Sequence, residues 1–232
     1  MPGRPSPLQN RVRPDGEIVA VTDRGGWMGN RGGRIHGTDQ RLGQRRWASK
    51  AWIICVLQHK DWHRAVMGAG YTELFFLDEA TALAAGHRPC ALCRRPAFLA
   101  FAAGWQRAHG LSSPPRAPQI DAVLHRDRLT ERRRKRTYRM PLHELPDGAM
   151  FLDNGGRQCL KAGGAAFTWA PDGYRLGPIV NEHCVEVLTP RAAVATLRAG
   201  YGVQHALLPG RPGDKISVGA GFGGVVAGTA RT

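Results

Sequence analysis

Apolar and polar residues alternate along the first part of the chain in short blocks that predict both strands and a helix. Residues 47–57 and 72–77 are rich in β-branched and aromatic side chains, which is typical of buried strands. A helix is predicted directly after the second run. Asp78 can cap the free N–H groups of its first turn, and Gly86 is a suitable residue just past its end.

Further helices and strands are predicted beyond this point. A second helix runs from Pro96 to about Gly110, because Phe98 and Trp105 fall on one face at the helical spacing. The apolar runs that follow are short, and two Pro-Asp-Gly turns separate them, which favours β structure. A last helix is predicted over residues 191–199, after a proline and before a glycine.

These elements predict an α+β fold, with a small α/β domain followed by a smaller β-rich domain and a flexible tail. The boundary is placed at a proline-rich stretch, because prolines end regular structure. The predicted divisions are a flexible N-terminus over 1–16, an α+β domain over 17–110, a linker over 111–119, a basic β-rich domain over 120–208, and a flexible glycine-rich tail over 209–232.

The chain is strongly basic, with 33 Lys and Arg against 18 Asp and Glu and a net charge of +15. Such an excess predicts affinity for nucleic acid or an anionic membrane surface. No stretch approaches the ~18 apolar residues of a membrane helix, and residues 1–9 lack the apolar centre of a signal peptide. The expected partner is therefore nucleic acid, with DNA favoured over RNA, and the expected location is a bacterial cytoplasm, with association with the nucleoid as an option.

Candidate nucleic-acid contacts lie in three basic segments. Glycine-rich backbone in residues 24–37 can approach a phosphate closely, and arginines flank the cysteines near residue 90. In residues 125–139, eight of fifteen residues are Arg or Lys, although such a run is also typical of a solvated face. The predicted contacts are Arg31, Arg34, Arg88, Arg94, Arg95, Arg132, Arg133, Arg134, Lys135 and Arg136.

The cysteine pattern predicts a metal site. Five cysteines without the spacing of a disulfide framework are expected to be reduced. Cys90 and Cys93 form a C-x-x-C turn that can direct two thiolates at one Zn²⁺ ion. His59 and His63, four residues apart, can complete the site, and Cys55 is a competing ligand in place of one histidine. Without a metal, the same turn would be a redox dithiol or a pair of buried cysteines.

Residues 75–93, with the sequence FFLDEATALAAGHRPCALC, resemble the second half of the Ada-type zinc domain. That domain is the methylphosphotriester repair module of the bacterial adaptive-response protein. The resemblance, which extends over about residues 59–95, implies zinc binding by Cys90 and Cys93 and a link with DNA repair. By spacing it places His59 and His63 at the family's first cysteine pair. One cysteine of that pair accepts a methyl group in the family, so here an acceptor exists only if Cys55 reaches the metal.

Signatures of catalysis are sparse, and whether the protein is an enzyme stays open. No P-loop, G-x-S-x-G or dinucleotide fingerprint is present. The P-C-x-x-C of residues 89–93 matches half of a nucleobase deaminase motif, but the H-x-E half has no counterpart. A metal-dependent nuclease with His36 as base, near Asn30 and Asp39, is one alternative. A zinc-braced module for a protein or ribosomal RNA is another, and the oligomeric state is not predicted.

Overall fold

The computed structural model describes residues 6–61, 65–177 and 183–207. The strands are β1 (Gln9–Val12), β2 (Ile18–Ala20), β3 (Trp27–Arg31), β4 (Trp52–Cys55), β5 (Leu74–Phe76), β6 (Arg88–Pro89), β7 (Tyr138–Pro141), β8 (Met150–Leu152), β9 (Gln158–Ala162), β10 (Ala165–Ala170), β11 (Gly173–Leu176) and β12 (Cys184–Val187). The α-helices are α1 (Glu79–Ala84), α2 (Arg95–His109), α3 (Ala117–Arg128) and α4 (Arg191–Arg198), and a 3-10 turn covers Leu142–Glu144.

The strands form two six-stranded sheets. The first has the order β2-β1-β5-β3-β4-β6 and is mixed: β3 is antiparallel to β4 and β5, whereas β4 pairs in parallel with β6. The second has the order β11-β10-β9-β8-β12-β7, and its neighbouring strands are antiparallel. The predicted α+β class is confirmed.

One apolar core connects the two sheets. Phe76 of β5, Phe101 of α2 and Phe151 of β8 are fully buried members of the same cluster. Helix α1 packs against β5 of the first sheet and β8 of the second and so connects the two, whereas α2 packs against β6 and α4. Burial of these aromatic side chains and of the many aliphatic ones around them is the main driving force here, at ~25 cal/mol per Å² of apolar surface.

Local sequence explains why α1 forms and where it ends. The Asp78 side chain accepts a hydrogen bond from the Thr81 N–H at 2.8 Å and thereby caps the first turn. At the other end, Gly86 has φ +91° and its N–H donates to Leu83 O, while the His87 N–H donates to Ala82 O. These two bonds form a Schellman motif, which requires a left-handed residue at the glycine.

Two predicted segment boundaries are wrong. Within the predicted flexible N-terminus, β1 pairs with β2 and with β5, because Asn10 and Val12 are buried against the sheet. Within the predicted linker, α3 begins at Ala117, because Ile120 and Leu124 bury one face of the helix. The proline at position 118 opens α3 rather than interrupting structure, since proline is tolerated in a first helical turn.

The end of the described chain packs against α1. The Tyr201 hydroxyl donates to Glu79 Oε1 at 2.6 Å, and the Gln204 N–H donates to Glu79 Oε2 at 3.0 Å. The Ala206 N–H donates to Asp78 Oδ2 at 3.0 Å. The predicted tail over 209–232 lies outside the described residues. None of the helices in the described ranges is both long and apolar enough to span a membrane.

Candidate metal centre and basic cleft

Strand pairing brings two distant cysteines side by side. Cys55 is the last residue of β4, and Cys90 directly follows β6. The two strands run in parallel with Ile54 opposite Pro89, and the Cys90 N–H donates to Ile54 O at 2.9 Å. Because the strands are parallel and in register, they end on the same side of the sheet, and residues 55 and 90 lie next to each other there.

The C-x-x-C turn adds the third sulfur. The thiol sulfurs of Cys55, Cys90 and Cys93 all lie within 4.8 Å of one another. The Leu92 N–H donates to Cys90 Sγ at 3.4 Å, so the turn already provides a backbone donor that can stabilise negative charge on this sulfur. Three converging sulfurs are a donor set suited to a soft or borderline cation, and they could bind a metal ion.

Contacts among the three thiols shift their pKa values in a way that favours binding of a cation. Hydrogen bonds from the thiols of Cys55 and Cys93 lower the pKa of Cys90 well below its ordinary value. The same hydrogen bond to Cys90, together with the one to Cys93 and burial, raises the pKa of Cys55. One thiolate is thus stabilised by its two neutral neighbours, and a bound cation would replace their protons and release them to solvent.

Of the predicted ligands, the structure brings Cys90 and Cys93 together. It also places Cys55 beside them, the residue that was predicted as a competing ligand in place of one histidine. Within the described ranges, the group of potential ligands contains the three cysteines and no histidine. His59 is half-buried outside that group. His63 lies outside the described residues. The segment that follows β4 nevertheless starts at the three-cysteine group, because Cys55 is the last residue of β4.

The predicted basic edge at residues 88–95 is wrong for two of its three arginines. The Arg88 guanidinium donates to both carboxylate oxygens of Asp121, at 2.9 and 2.8 Å, and is buried. Arg94 donates to Glu79 Oε1 at 2.8 Å, also in the interior. Both pairs are ion pairs shielded from water, since the planar guanidinium matches a buried carboxylate. Arg95 is exposed.

Arg31 is also not a surface contact, because it belongs to a buried cationic cluster around Trp52. The guanidinium carbons of Arg31 and Arg128 lie 4.0 and 3.8 Å from the Trp52 ring centroid. His87 lies 5.0 Å from the same ring, and burial keeps the pKa of its imidazole well below the ordinary value. Sequence reasoning missed this cluster, since nothing in the spacing of 31, 52, 87 and 128 indicates contact.

Backbone carbonyls are the main hydrogen-bond partners of these two buried arginines. Arg31 donates to Gly16 O at 2.7 Å and to Arg46 O at 3.5 Å. Arg128 donates to Gly86 O and to Lys50 O, both at 2.8 Å. Burial is the main cause that lowers the pKa of both guanidinium groups; the charge of Arg46 adds to it at Arg31, and the charge of Arg31 adds to it at Arg128. Both groups remain cations because the ring face and the carbonyls stabilise them.

Within the predicted run 132–136, the side chains separate into an exposed and an inward set. Arg132, Arg133, Arg134 and Arg136 are exposed. The Lys135 ammonium instead turns inward and donates to Ala84 O at the end of α1. Burial, with the nearby charges of Arg128 and Arg31, lowers the pKa of Lys135 to about 7. Lys135 therefore contacts the protein interior rather than a ligand. Of the other predicted contacts, Arg34 in the glycine-rich segment is exposed.

An open cavity of about 580 Å³ lies where two basic segments meet. Its lining consists of Gln44, Arg45, Arg46, Trp47, Ala48 and Arg133. The Arg133 guanidinium carbon lies 5.8 Å from the Trp47 ring centroid. Arg45, Arg46 and Arg133 form no ion pair with a carboxylate in the described part of the chain. Residues 44–48 were not among the sequence candidates.

The residues of the nuclease alternative have other contacts. His36 is buried, with Nδ1 2.5 Å from Thr72 Oγ1 and Nε2 2.9 Å from Gly68 O. Both ring nitrogens are thus occupied by protein partners, which leaves none for a general base. Asn30 accepts from the Gly32 N–H at 2.9 Å, and Asp39 accepts from the Arg41 N–H at 3.1 Å. These interactions stabilise local turns.

Comparison with family models, with curated proteins and with solved structures finds no match to this chain. The resemblance to the Ada-type domain therefore stays a prediction.

Proposed function

We propose that this protein binds nucleic acid, DNA in preference to RNA, through a basic face on a scaffold braced by zinc. The observation that carries the proposal is the cavity where Arg133 of the run 132–136 meets residues 44–48, which neither segment forms alone. Several guanidinium groups without carboxylate partners concentrate positive charge there. Such a surface attracts phosphates and releases their counterions on binding.

The proposed brace is Zn²⁺ held by Cys55, Cys90 and Cys93, with a fourth ligand from residues 59–63. Zinc takes thiolate and imidazole ligands in tetrahedral sites, and a C-x₃-H spacing after Cys55 can supply the fourth. The ion would link β4 to β6 and the C-x-x-C turn, from which α2 starts. A link with DNA repair rests on the family resemblance, and five free cysteines are consistent with the cytoplasm.

The proposal is tested by charge reversal on the basic face. The variant Arg132→Glu/Arg134→Glu is compared with Arg139→Glu/Arg175→Glu, an equal reversal at exposed positions of the second sheet. Binding of a labelled DNA duplex and of a labelled single strand is measured by fluorescence anisotropy between about 50 and 200 mM salt. We expect the first variant to bind about tenfold or more weakly and with a shallower salt dependence, since fewer phosphates are neutralised.

Two results would contradict the proposal. The first is that the unmodified protein does not bind DNA or RNA at low salt. The second is that the two double variants lose affinity for DNA equally. The second result would mean that net charge alone, rather than this face, attracts the nucleic acid.

A second candidate function, alkyl transfer to Cys55, is favoured by the presence of its sulfur in the three-cysteine centre. In that reaction the Cys55 sulfur, which a bound metal ion would keep deprotonated, would form an S–C bond to the methyl group of a methyl phosphotriester. The C–O bond would break, and the phosphodiester anion would leave. Cys55 is only 7% exposed, so substrate access would require movement of the neighbouring segment. Mass spectrometry after incubation with a methylphosphotriester oligonucleotide tests this, with loss of methylation in Cys55→Ser expected.

A further inference from the structure

Trp47 lines the basic cavity, and its ring is held in place by neighbouring rings. Its ring lies 6.0 Å from that of Trp52 and 5.7 Å from that of His125, which meets it edge-on. The residue is half-buried, so part of the indole still lines the open cavity. An aromatic ring fixed between other rings loses little conformational freedom when a ligand stacks on it.

The backbone on both sides of Trp47 is anchored by the buried arginines. The carbonyl of Arg31 accepts from the Ala48 N–H at 2.8 Å, while its guanidinium donates to Arg46 O. The carbonyl of Lys50 accepts from Arg128, whose guanidinium also contacts His125 Nδ1 at 2.8 Å. The cationic cluster around Trp52 thus positions both the Trp47 segment and the imidazole beside it.

The lining around Trp47 combines two chemistries. Three arginines supply charge for phosphate oxygens, and the indole supplies an apolar face. Gln44, at the same rim, adds a side-chain amide that can hydrogen-bond to a base edge. A volume of about 580 Å³ lies within the range of small-ligand pockets and can accept one nucleotide unit.

We infer that this cavity binds one unpaired nucleotide of a single strand, with its base stacked on Trp47 and its phosphates on Arg45, Arg46 and Arg133. This inference rests on the proposed function and specifies its ligand. Bases in an intact duplex are stacked on one another, so an isolated indole in a concave site can only reach an unpaired or displaced base. Stacking of this kind is tolerant of sequence, because every base has an aromatic face.

The test compares Trp47→Ala and Trp47→Phe with Trp169→Ala, a half-buried tryptophan of β10 in the second sheet. A fluorescein-labelled oligothymidine of fifteen nucleotides and a duplex of equal length are the probes. We expect Trp47→Ala to weaken single-strand binding by about five- to a hundredfold, in line with the loss of one stacked base. Trp47→Phe should retain most of the affinity, and Trp169→Ala all of it. Arg133→Ala should lower the magnitude of the salt slope by about 0.7.

Thermal unfolding and metal content of each variant show whether the fold is kept. If Trp47→Ala is unstable, two measurements replace it. The first is the single-strand affinity of Trp47→Leu. The second is the quenching of Trp47 fluorescence by unlabelled oligothymidine, obtained as the difference in signal between the unmodified protein and Trp47→Phe. Strong single-strand binding that is unchanged in both Trp47→Ala and Arg133→Ala would overturn this inference and leave the proposed function standing. Absence of binding to either probe by the unmodified protein would overturn the proposed function itself.

Discussion

The ion pair between Arg88 and Asp121 joins β6 to α3 in the interior, where both side chains are less than a tenth exposed. Removing one partner leaves an uncompensated buried charge, which costs about 3–5 kcal/mol in comparable pairs. We expect Arg88→Met to lower the free energy of unfolding by this amount in urea denaturation. The double variant Arg88→Met/Asp121→Leu should recover most of the loss. A loss below about 1 kcal/mol in the single variant would show that the pair is solvated.

Lys135 gives the stability a defined dependence on pH. Its pKa is about 7 in the folded protein, below the ordinary value of 10.5. Between these values the unfolded chain binds the extra proton, so this residue makes stability increase as pH rises from 7 to 10.5, and below pH 7 its full cost is present. In Lys135→Met the free energy of unfolding should rise less steeply with pH over that window. An unchanged slope would contradict the inward placement of the ammonium.

At the scale of elements, Gly86 connects the end of α1 to the buried cluster. A Cβ atom added there would lie 2.6 Å from Arg128 Cδ, in addition to the strain of φ +91°. Gly110 ends α2 in the same left-handed region, with φ +60° and no atom within 4 Å of such a Cβ. We expect Gly110→Ala to cost about 1 kcal/mol, the backbone term alone, and Gly86→Ala clearly more. Equal costs would mean that Arg128 moves away freely.

The helices were easier to predict from the sequence than the first strands. Asp78 and Gly86 mark the ends of α1 by local hydrogen bonds, so their identities suffice to predict them. β1 depends on pairing with β5, more than sixty residues away, and no local pattern in Gln9–Val12 indicates that partner. α3 was missed for a related reason, because a proline in a first turn and a proline in a linker look alike in sequence.

The candidate site shows the same division between local and distant information. The C-x-x-C turn is a local signal, and Cys90 and Cys93 were predicted from it. That Cys55 lies beside them depends on the parallel pairing of β4 with β6, which spacing alone could not decide. The burial of Arg88 and Arg94 was missed because their carboxylate partners are 33 and 15 residues away.

For the whole molecule, the proposed zinc has a structural consequence that exceeds the local turn. It would join β4, the neighbour of the edge strand β6 in the first sheet, to the start of α2, which packs on α4. Metal-binding free energy then adds to folding free energy. Removal of the ion should therefore lower the unfolding temperature of the whole chain, because both sheets share one core.

The most direct test of the account is the metal content of the purified chain, measured by mass spectrometry together with its thermal unfolding with and without a chelator. The unmodified protein should contain one zinc per chain and unfold at a lower temperature when the metal is removed. Cys55→Ser should lose the metal, and Cys159→Ser, a buried cysteine outside the centre, should keep it. A protein that binds no metal, or a Cys55→Ser variant with full zinc and unchanged chelator sensitivity, would contradict the three-sulfur centre.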